Sequence, residues 1–189
     1  REISAHAVRA GVRFLDAPVS GSVSVAEQGK LTVMTGGDPA ALADALPVLQ
    51  VITATQLHLG PPGAGAAMKL AVNIMIAAVN QAVAEGLALA ATAGIDPRAA
   101  YETLLASVVS SPFLHYKRDA YLTIADAPVS FTTALMAKDL QLALDVAGEV
   151  PLALTATAKQ SLEQACAAGL GDADFASVAR LLLPGHPAR

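Results

Sequence analysis

The sequence predicts a short α/β region followed by an all-α region that is organised around one long central helix. Helix and strand patterns alternate as far as residue 60, which is the rhythm of a sheet covered by helices. From Gly63 onwards the strand pattern disappears, and about thirty residues with almost no charge follow. We therefore expect one domain at residues 1–60 and a helical domain at residues 61–183.

Local signals place each element of the α/β region. Gly11 follows an amphipathic run and is typical of the residue that ends a helix. Asp38 and Pro39 form an N-cap with proline at the first helical position, a pair that opens a helix. In chain order we expect a helix at 2–10, a strand at 12–19 ending near Pro18, a turn-rich segment at 20–30, a strand at 31–37, a helix at 39–49 and a strand at 54–60.

The second region is predicted to be helical throughout. Asp96 and Pro97 repeat the pattern of an N-cap followed by proline, and Pro151 and Gly169 are placed to begin and end a further helix. After the long helix that ends near Gly94, we expect helices at 97–107, 112–122, 131–150, 151–169 and 174–183, with a loop at 125–130 and a disordered polar tail at 184–189.

The long apolar helix carries a lysine that needs an explanation. A helix that is apolar on every side belongs in a core, yet Lys69 lies one turn into it, with Asn73 and then Asn80 on nearly the same stripe. Lysine is almost never fully buried unless something holds it. Either Lys69 is functional, or its stem lies on apolar surface while its ammonium reaches water.

Composition excludes several classes of function. A net charge of -4 and a pI near 5.5 offer no basic surface for nucleic acid or anionic lipid. Polar residues interrupt the long apolar run at every turn or two and no basic cluster flanks it, so a membrane span is disfavoured. The single cysteine, Cys166, is expected in the core and suits the cytoplasm. The four histidines lack the spacing of zinc ligands, so we expect no metal.

Four segments, in order along the chain, resemble the 3-hydroxyisobutyrate dehydrogenase family of β-hydroxyacid dehydrogenases. FLDAPVSGSVSVAEQGKLTVMTGG resembles its substrate-binding signature, and GPPGAGAAMKLAVN resembles its catalytic-lysine segment. FTTALMAKDLQLAL is similar to its cofactor-side segment, and GLGDADFASVARLL to its closing pattern. Two positions depart from the family pattern: Ser22 replaces a second glycine, and Val72 stands where an asparagine is common.

The resemblance implies a nicotinamide-dependent oxidoreductase with part of its first domain missing. Family members begin with a Rossmann-type domain whose glycine-rich turn holds the dinucleotide. No such turn follows a strand here, and a three-stranded sheet would have open edges and one poorly covered face. We therefore expect residues 1–60 to be the C-terminal part of a Rossmann-type domain that uses NAD or NADP. The helical domain would complete the cofactor site and form a homodimer or homotetramer through the long helix.

The resemblance also assigns roles to individual residues. Lys69 would be the general acid/base, because burial in an apolar helix is expected to lower a lysine pKa towards neutrality. Asn73 would orient Lys69 or the substrate, and Ser20, Gly21 and Ser22 would bind the substrate carboxylate. On the cofactor side, Lys138 would approach the nicotinamide with Phe131 packed nearby. Read from the residues alone, Lys138 and Asp139 are a solvated pair of little energetic weight.

Three functions remain open at this point. The first is the interconversion of a small β-hydroxy acid with its semialdehyde or keto acid, as in 3-hydroxyisobutyrate dehydrogenase. The second is reduction of glyoxylate, succinic semialdehyde or tartronate semialdehyde by an enzyme of the same family. The third is a catalytically incomplete helical fragment whose long helix buries itself against a partner subunit.

Overall fold

The computed structural model describes residues 2–123 and 128–183 of the chain. Packing divides the protein into two compact units, Arg1–Val72 and Asn73–Arg189. The division falls within one continuous helix, Ala64–Thr92, which contributes its first residues to one unit and the rest to the other. The predicted domain boundary at 60/61 stays a prediction. The predicted tail at 184–189 and much of the predicted loop at 125–130 lie outside the described residues.

The first unit combines a small sheet with helices. Its elements are α1 (Glu2–Arg9), β1 (Leu15–Asp16), β2 (Val19–Ser20), α2 (Val23–Glu27), β3 (Leu31–Gly37), α3 (Pro39–Ile52), β4 (Thr53–His58) and the beginning of α4 (Ala64–Thr92).

Strand β3 is the centre of the sheet. The two short strands β1 and β2 pair with it antiparallel, with Asp16 opposite Gly36 and Ser20 opposite Thr32. Strand β4 pairs with β3 in parallel, and α3 makes the connection between these two strands. Because β1 and β2 both pair with β3, the short segment between Asp16 and Ser20 is held against one strand at both ends.

The α/β predictions are confirmed in outline and wrong in two details. The helix at 2–10 forms as α1, Gly11 takes the left-handed φ of +69°, and β3 has the predicted bounds. The predicted strand at 12–19 is instead two short strands, because Pro18 has no N–H to donate to a ladder. The division of this strand gives the sheet of the described residues four strands rather than three, and the turn-rich segment contains the short helix α2.

The second unit is helical around an apolar core. It contains the rest of α4, then α5 (Pro97–Ala106), α6 (Pro112–Leu122), α7 (Thr133–Ala147), α8 (Ala153–Ala165), a π-helical turn (Cys166–Leu170), a 3₁₀ turn (Phe175–Val178) and α9 (Ala179–Leu182). The largest fully buried aromatic and aliphatic side chains of its core are those of Tyr101, Phe175, Leu114, Met136 and Leu140.

Helix starts were the most predictable feature of this fold. The Asp38 carboxylate accepts a hydrogen bond from Ala40 N at 2.7 Å, and that of Asp96 accepts one from Ala99 N at 3.0 Å. Each aspartate therefore satisfies an N–H group that the first turn of a helix leaves without an intrahelical partner. The last predicted helix, 174–183, is instead the 3₁₀ turn followed by α9.

Helix α4 is not buried on every side, contrary to the expectation from its composition. Met75 and Leu89 are 65% and 73% exposed, and 33% of the most apolar 18-residue window of α4 is buried. By length and composition α4 would also qualify as a membrane span, a test that core helices of soluble proteins pass as well. Within the described chain, α4 thus leaves a large apolar surface exposed.

Gly65 in the first turn of α4 is predicted to tolerate no side chain. A Cβ at this position would press on the Met34 carbonyl oxygen and lie 2.9 Å from Asp16 Oδ2. We expect Gly65→Ala to lower the free energy of unfolding by about 1–3 kcal/mol, the usual cost of overpacking. Urea denaturation of the full-length protein measures this change.

Gly86 in the same helix provides the matched control. It is exposed, and a Cβ there would meet no atom within 4 Å. Gly86→Ala should raise the free energy of unfolding by about 0.5–1 kcal/mol, because alanine loses less backbone entropy in a helix. Equal effects of the two substitutions would contradict close packing at Gly65.

Candidate functional site

The predicted substrate-binding turn has a backbone that only glycine permits at its centre. Ser20 ends β2, and Gly21 follows with φ of +148°, where a Cβ would lie 2.6 Å from Leu31 Cδ2. Ser22 is extended and precedes α2, and its hydroxyl lies 2.9 Å from Ser24 Oγ. A residue with a side chain at position 21 would therefore distort the turn. The Ser22 side chain, which departs from the family's glycine, is half-buried beside it.

The loop that precedes Lys69 is attached to a carboxylate from β1. Asp16 Oδ1 accepts a hydrogen bond from Gly63 N at 2.6 Å, and Asp16 Oδ2 accepts one from Ala66 N at 2.8 Å. An anion at a helix N-terminus is favourable because the backbone N–H groups and the helix dipole both attract it. Here the protein's own aspartate takes this place. Lys69 follows one turn later and is half-buried.

Asn73 and Lys138 are brought together by Asp139. Asn73 is 3% exposed, and its Nδ2 donates to Asp139 Oδ2 at 2.7 Å. Lys138 Nζ forms an ion pair with Asp139 Oδ1 at 2.9 Å. Because an ionised carboxylate only accepts, this contact fixes which way the Asn73 amide is turned. Asp139 therefore does more than form a solvated pair with Lys138: it joins two predicted site residues.

The exposure of these side chains is uneven. The Lys138 side chain is 58% exposed, whereas that of Asp139 is 15% exposed. The ammonium is thus accessible to a ligand while the carboxylate that holds it is largely enclosed. The sequence signal for Asp139 was present in the Lys-Asp-Leu of the cofactor-side segment, but its partner Asn73 lies 66 residues away.

Asn80, the third polar residue on the predicted stripe of α4, is part of the core. It is 2% exposed, and its Nδ2 donates to the Phe175 carbonyl at 3.1 Å. Its Oδ1 accepts from Tyr121 Oη at 2.6 Å. Burial raises the pKa of Tyr121 well above its ordinary value, so the phenol stays neutral and donates. These hydrogen bonds give Asn80 a structural role.

Phe131 lies where residues 131–133, at the start of α7, are hydrogen-bonded to residues 173–175. We call this contact the seam, and residues 173–175 the C-terminal segment. Its ring packs edge-to-face on Phe175 with 6.2 Å between centroids, and its carbonyl accepts from Phe175 N at 3.1 Å. Thr133 N donates to the Ala173 carbonyl at 2.9 Å in the same seam. The position of Phe131 therefore depends on how well residues 173–175 are held.

A buried ion pair that the sequence did not indicate holds this seam. Lys117 is 1% exposed, and its Nζ lies 2.6 Å from both carboxylate oxygens of Asp174 and 2.6 Å from Ser130 Oγ. Asp174 Oδ2 also accepts from Ser130 N at 3.0 Å, next to Phe131. The ammonium lies 4.1 Å from the centroid of the Phe175 ring. No local pattern predicts this pair, because its members are 57 residues apart.

The two members of the pair respond differently to burial. Burial raises the pKa of Asp174, but the hydrogen bonds from Lys117, Ala176 and Ser130 outweigh this effect and leave it below the ordinary value. Burial lowers the pKa of Lys117, and the hydrogen bond to Asp174 opposes the shift. The carboxyl is thus held ionised, and the ammonium depends on it to stay charged.

Cys166 is half-buried rather than part of the core, which corrects the sequence expectation. It lies at the junction of α8 and the π-helical turn, where the chain begins to leave the regular helix. Burial raises the pKa of its thiol. The raised pKa keeps the thiol protonated at neutral pH and makes it a poor nucleophile. Among residues 2–123 and 128–183, no group of three His, Cys, Asp or Glu side chains is placed to hold a metal ion.

Comparison with known proteins gives two family matches. Residues 63–182 match the family model described as the NAD-binding domain of NADP-dependent 3-hydroxyisobutyrate dehydrogenase. Residues 1–60 match the NAD binding domain of 6-phosphogluconate dehydrogenase. The chain is 36% identical to 2-(hydroxymethyl)glutarate dehydrogenase of Eubacterium barkeri, over 93% of this chain and 59% of the relative. It is 34% identical to the chloroplastic glyoxylate/succinic semialdehyde reductase 2 of Arabidopsis thaliana, over 91% of this chain and 48% of the relative.

Solved structures show the same fold. A 3-hydroxyisobutyrate dehydrogenase from Salmonella typhimurium matches with a TM-score of 0.88 and 31% identity, over 95% of this chain and 64% of that protein. The Mycobacterium tuberculosis 3-hydroxyisobutyrate dehydrogenase with L-serine matches with a TM-score of 0.84 and 32% identity, over 96% of this chain and 65% of that protein. This chain therefore spans about half to two thirds of the relatives that it matches.

Proposed function

Because this chain belongs to the 3-hydroxyisobutyrate dehydrogenase family of β-hydroxyacid dehydrogenases, we propose that the protein containing it is an NAD(P)-dependent oxidoreductase. It interconverts a small β-hydroxy acid and the corresponding semialdehyde or keto acid. The observation that carries the proposal is the chain of contacts from Asn73 through Asp139 to Lys138. These contacts connect an asparagine of the catalytic-lysine segment to a lysine of the cofactor-side segment.

In this proposal Lys69 transfers the proton, and a bound dinucleotide would supply the hydride. When a carbonyl is reduced, negative charge develops on its oxygen, and an ammonium N–H can donate the proton that neutralises it. Ser20, Gly21 and Ser22 hold the substrate carboxylate, and Asn73 orients the reacting groups. The close packing at Gly21, where a Cβ would lie 2.6 Å from Leu31 Cδ2, supports this role, because a packed turn can present hydrogen-bond donors with little rearrangement.

On the cofactor side, Lys138 and Phe131 would hold the nicotinamide end of the dinucleotide. The exposed Lys138 ammonium is available to polar atoms of the dinucleotide while Asp139 limits its movement. Residues 1–60 contribute the C-terminal part of a Rossmann-type NAD(P)-binding domain, residues 61–183 the helical domain, and residues 184–189 a tail. The ranges of the two family matches support this division.

We also propose that α4 forms the contact between subunits of a homodimer or homotetramer. The exposed apolar side chains of Met75 and Leu89 support this, since burying them against a second subunit would remove them from water. The single cysteine, Cys166, supports a reducing compartment, for which we propose the cytoplasm.

Reduction of glyoxylate, succinic semialdehyde or tartronate semialdehyde is the second candidate reaction. It is favoured by the relatives in Arabidopsis thaliana named glyoxylate/succinic semialdehyde reductase, at 34% and 33% identity. Both candidate reactions use the same proton donor and the same hydride donor, so they differ in the substrate alone.

A substrate screen of the full-length protein tests the proposal. The alcohols are 3-hydroxyisobutyrate, glycerate, serine and 4-hydroxybutyrate, and the carbonyl compounds are glyoxylate and the succinic and tartronate semialdehydes. Each is assayed with NAD(H) and with NADP(H), and the absorbance of the reduced nicotinamide gives the rate. We expect turnover of at least one of these compounds, at a clearly higher rate with one of the two cofactors than with the other. Absence of turnover with every pair would contradict an oxidoreductase and favour a helical assembly module.

A further inference from the structure

Asp16 is a carboxylate of the first unit to which the proposed reaction assigns no role. It ends β1, opposite Gly36 of β3. Both of its oxygens are occupied by backbone N–H groups of a segment far away in the sequence, at Gly63 and Ala66. An ordinary N-cap comes from the residue just before its helix. A cap supplied by a strand instead ties two distant segments together.

The space around the carboxylate is restricted by glycine. A Cβ at Gly36 would lie 2.7 Å from Asp16 Oδ1, and one at Gly65 would lie 2.9 Å from Asp16 Oδ2. The Gly36 Cβ would also lie 2.7 Å from the Pro61 carbonyl oxygen. The backbones of β3 and of the loop before α4 therefore approach each other closely around Asp16, which leaves the carboxylate little freedom to move.

The two segments that Asp16 joins both carry proposed site residues. Asp16 lies four positions before Ser20, and both residues are held on β3 by strand pairing. Ala66, which donates to Asp16, lies three positions before Lys69 on the same helix. The carboxylate is thus a short, direct connection between the strand leading to the substrate turn and the helical turn that leads to Lys69.

We propose that Asp16 is a positioning residue for the reaction, which sets the place of the Lys69 amine relative to the Ser20–Ser22 turn. This role rests on the proposed function, because it matters only if Lys69 exchanges a proton with a substrate held at that turn. Proton transfer needs donor and acceptor at hydrogen-bond distance, so a small shift of the helix start lowers the rate more than it lowers binding.

Asp16→Asn in the full-length protein tests the proposal with little change of shape. The amide oxygen of asparagine can accept one of the two N–H groups, but its NH₂ group then faces the other donor, so one attachment is lost. We expect kcat to fall by about 10- to 100-fold, as for a misplacement of about 1 Å. The KM for the dinucleotide should stay within about twofold, because the Asp16 carboxylate bonds to Gly63 and Ala66 and to neither of the side chains proposed to approach the nicotinamide.

Asp38→Asn is the matched control. Asp38 also caps a helix with its carboxylate, through Ala40 N at 2.7 Å, but α3 carries none of the proposed site residues. We expect it to shift the midpoint of thermal unfolding and to leave kcat unchanged. If Asp16→Asn does not fold, Asp16→Ser, whose hydroxyl oxygen can accept one backbone N–H, replaces it in the comparison.

The possible results separate this role from the proposed function. Turnover by wild type, with a large loss of kcat in Asp16→Asn and none in Asp38→Asn, supports positioning by Asp16. Turnover by wild type with Asp16→Asn within twofold of its kcat overturns the role of Asp16 and leaves the proposed function standing. Equal losses of kcat in both variants also overturn it, since they would reflect stability alone. A wild-type protein without turnover overturns the proposed function, and the role of Asp16 with it.

Discussion

Replacing Lys69 with alanine is expected to lower kcat of the full-length protein by about 10²–10⁴-fold, the usual contribution of a general acid or base. Alanine can neither donate a proton to the carbonyl oxygen nor accept one from the alcohol. The fold should survive, because Lys69 is half-buried on a long regular helix and alanine is the best helix former. Steady-state kcat and KM, measured on protein with a wild-type thermal unfolding midpoint, give the result.

Two further lysine variants separate proton transfer from charge. Lys69→Arg keeps the positive charge, but a guanidinium does not release its proton in the assay range, so we expect a comparable loss of kcat. Lys159→Ala is the control, since Lys159 pairs with Glu163 at 2.6 Å on α8, a helix that carries none of the proposed site residues. A Lys69→Ala protein with kcat within tenfold of wild type would rule out Lys69 as the acid/base.

Lys117→Met is expected to cause the largest loss of stability, about 3–5 kcal/mol, because it leaves a buried carboxylate without its cation. Asp174 is 8% exposed, so water cannot replace the ammonium without opening the contact between α6 and the C-terminal segment. The double variant Lys117→Met/Asp174→Asn should recover part of this loss, because it removes the unpaired charge. Urea denaturation of the three proteins measures the free energies of unfolding.

Lys159→Met is the matched control for this pair. Lys159 forms an ion pair of the same length, 2.6 Å, with Glu163 one helical turn away, but the Glu163 side chain is 55% exposed. The loss should be below about 1 kcal/mol, as for other solvated pairs. If Lys117→Met lowered the free energy of unfolding no more than Lys159→Met does, burial would not be what makes the Lys117–Asp174 pair important for stability.

The same pair predicts a pH dependence of stability. The folded-state pKa of Asp174 lies below its ordinary value of 3.8, so folding favours the ionised carboxyl. The resulting stabilisation is fully present above pH 3.8 and is lost as the pH falls through the folded-state pKa. Wild type should therefore lose this contribution in acid, whereas Asp174→Asn should not show it. Parallel acid profiles of the two proteins would contradict the shift.

Much of the fold follows from signals within a few residues. The caps at Asp38 and Asp96 and the glycine stop at Gly11 each act within one turn, so they identify helix ends without knowledge of packing. The two short strands around Pro18 were missed, because they depend on how the segment pairs with β3. The short helix α2 was missed as well. The exposure of α4 was also missed, since composition does not tell which surfaces a neighbour covers.

The candidate site was predictable where its residues lie in recognisable segments. Lys69, Asn73, Lys138 and the Ser20 turn were all named from such segments, and their roles remain predictions. Asp139 was visible as a neighbour of Lys138, but not as the partner of Asn73.

By itself, the sequence indicated the family, most of the helices and strands, and the residues to which the proposed chemistry assigns roles. The tertiary structure alone decided which distant groups meet: Asp16 with the start of α4, Asp139 with Asn73, and Asp174 with Lys117. The physical reason is the distance along the chain over which each kind of interaction acts. Helix caps and hydrophobic periodicity act over about four residues, whereas these carboxylates find partners 47, 66 and 57 residues away. Only the packing of strands and helices creates such contacts.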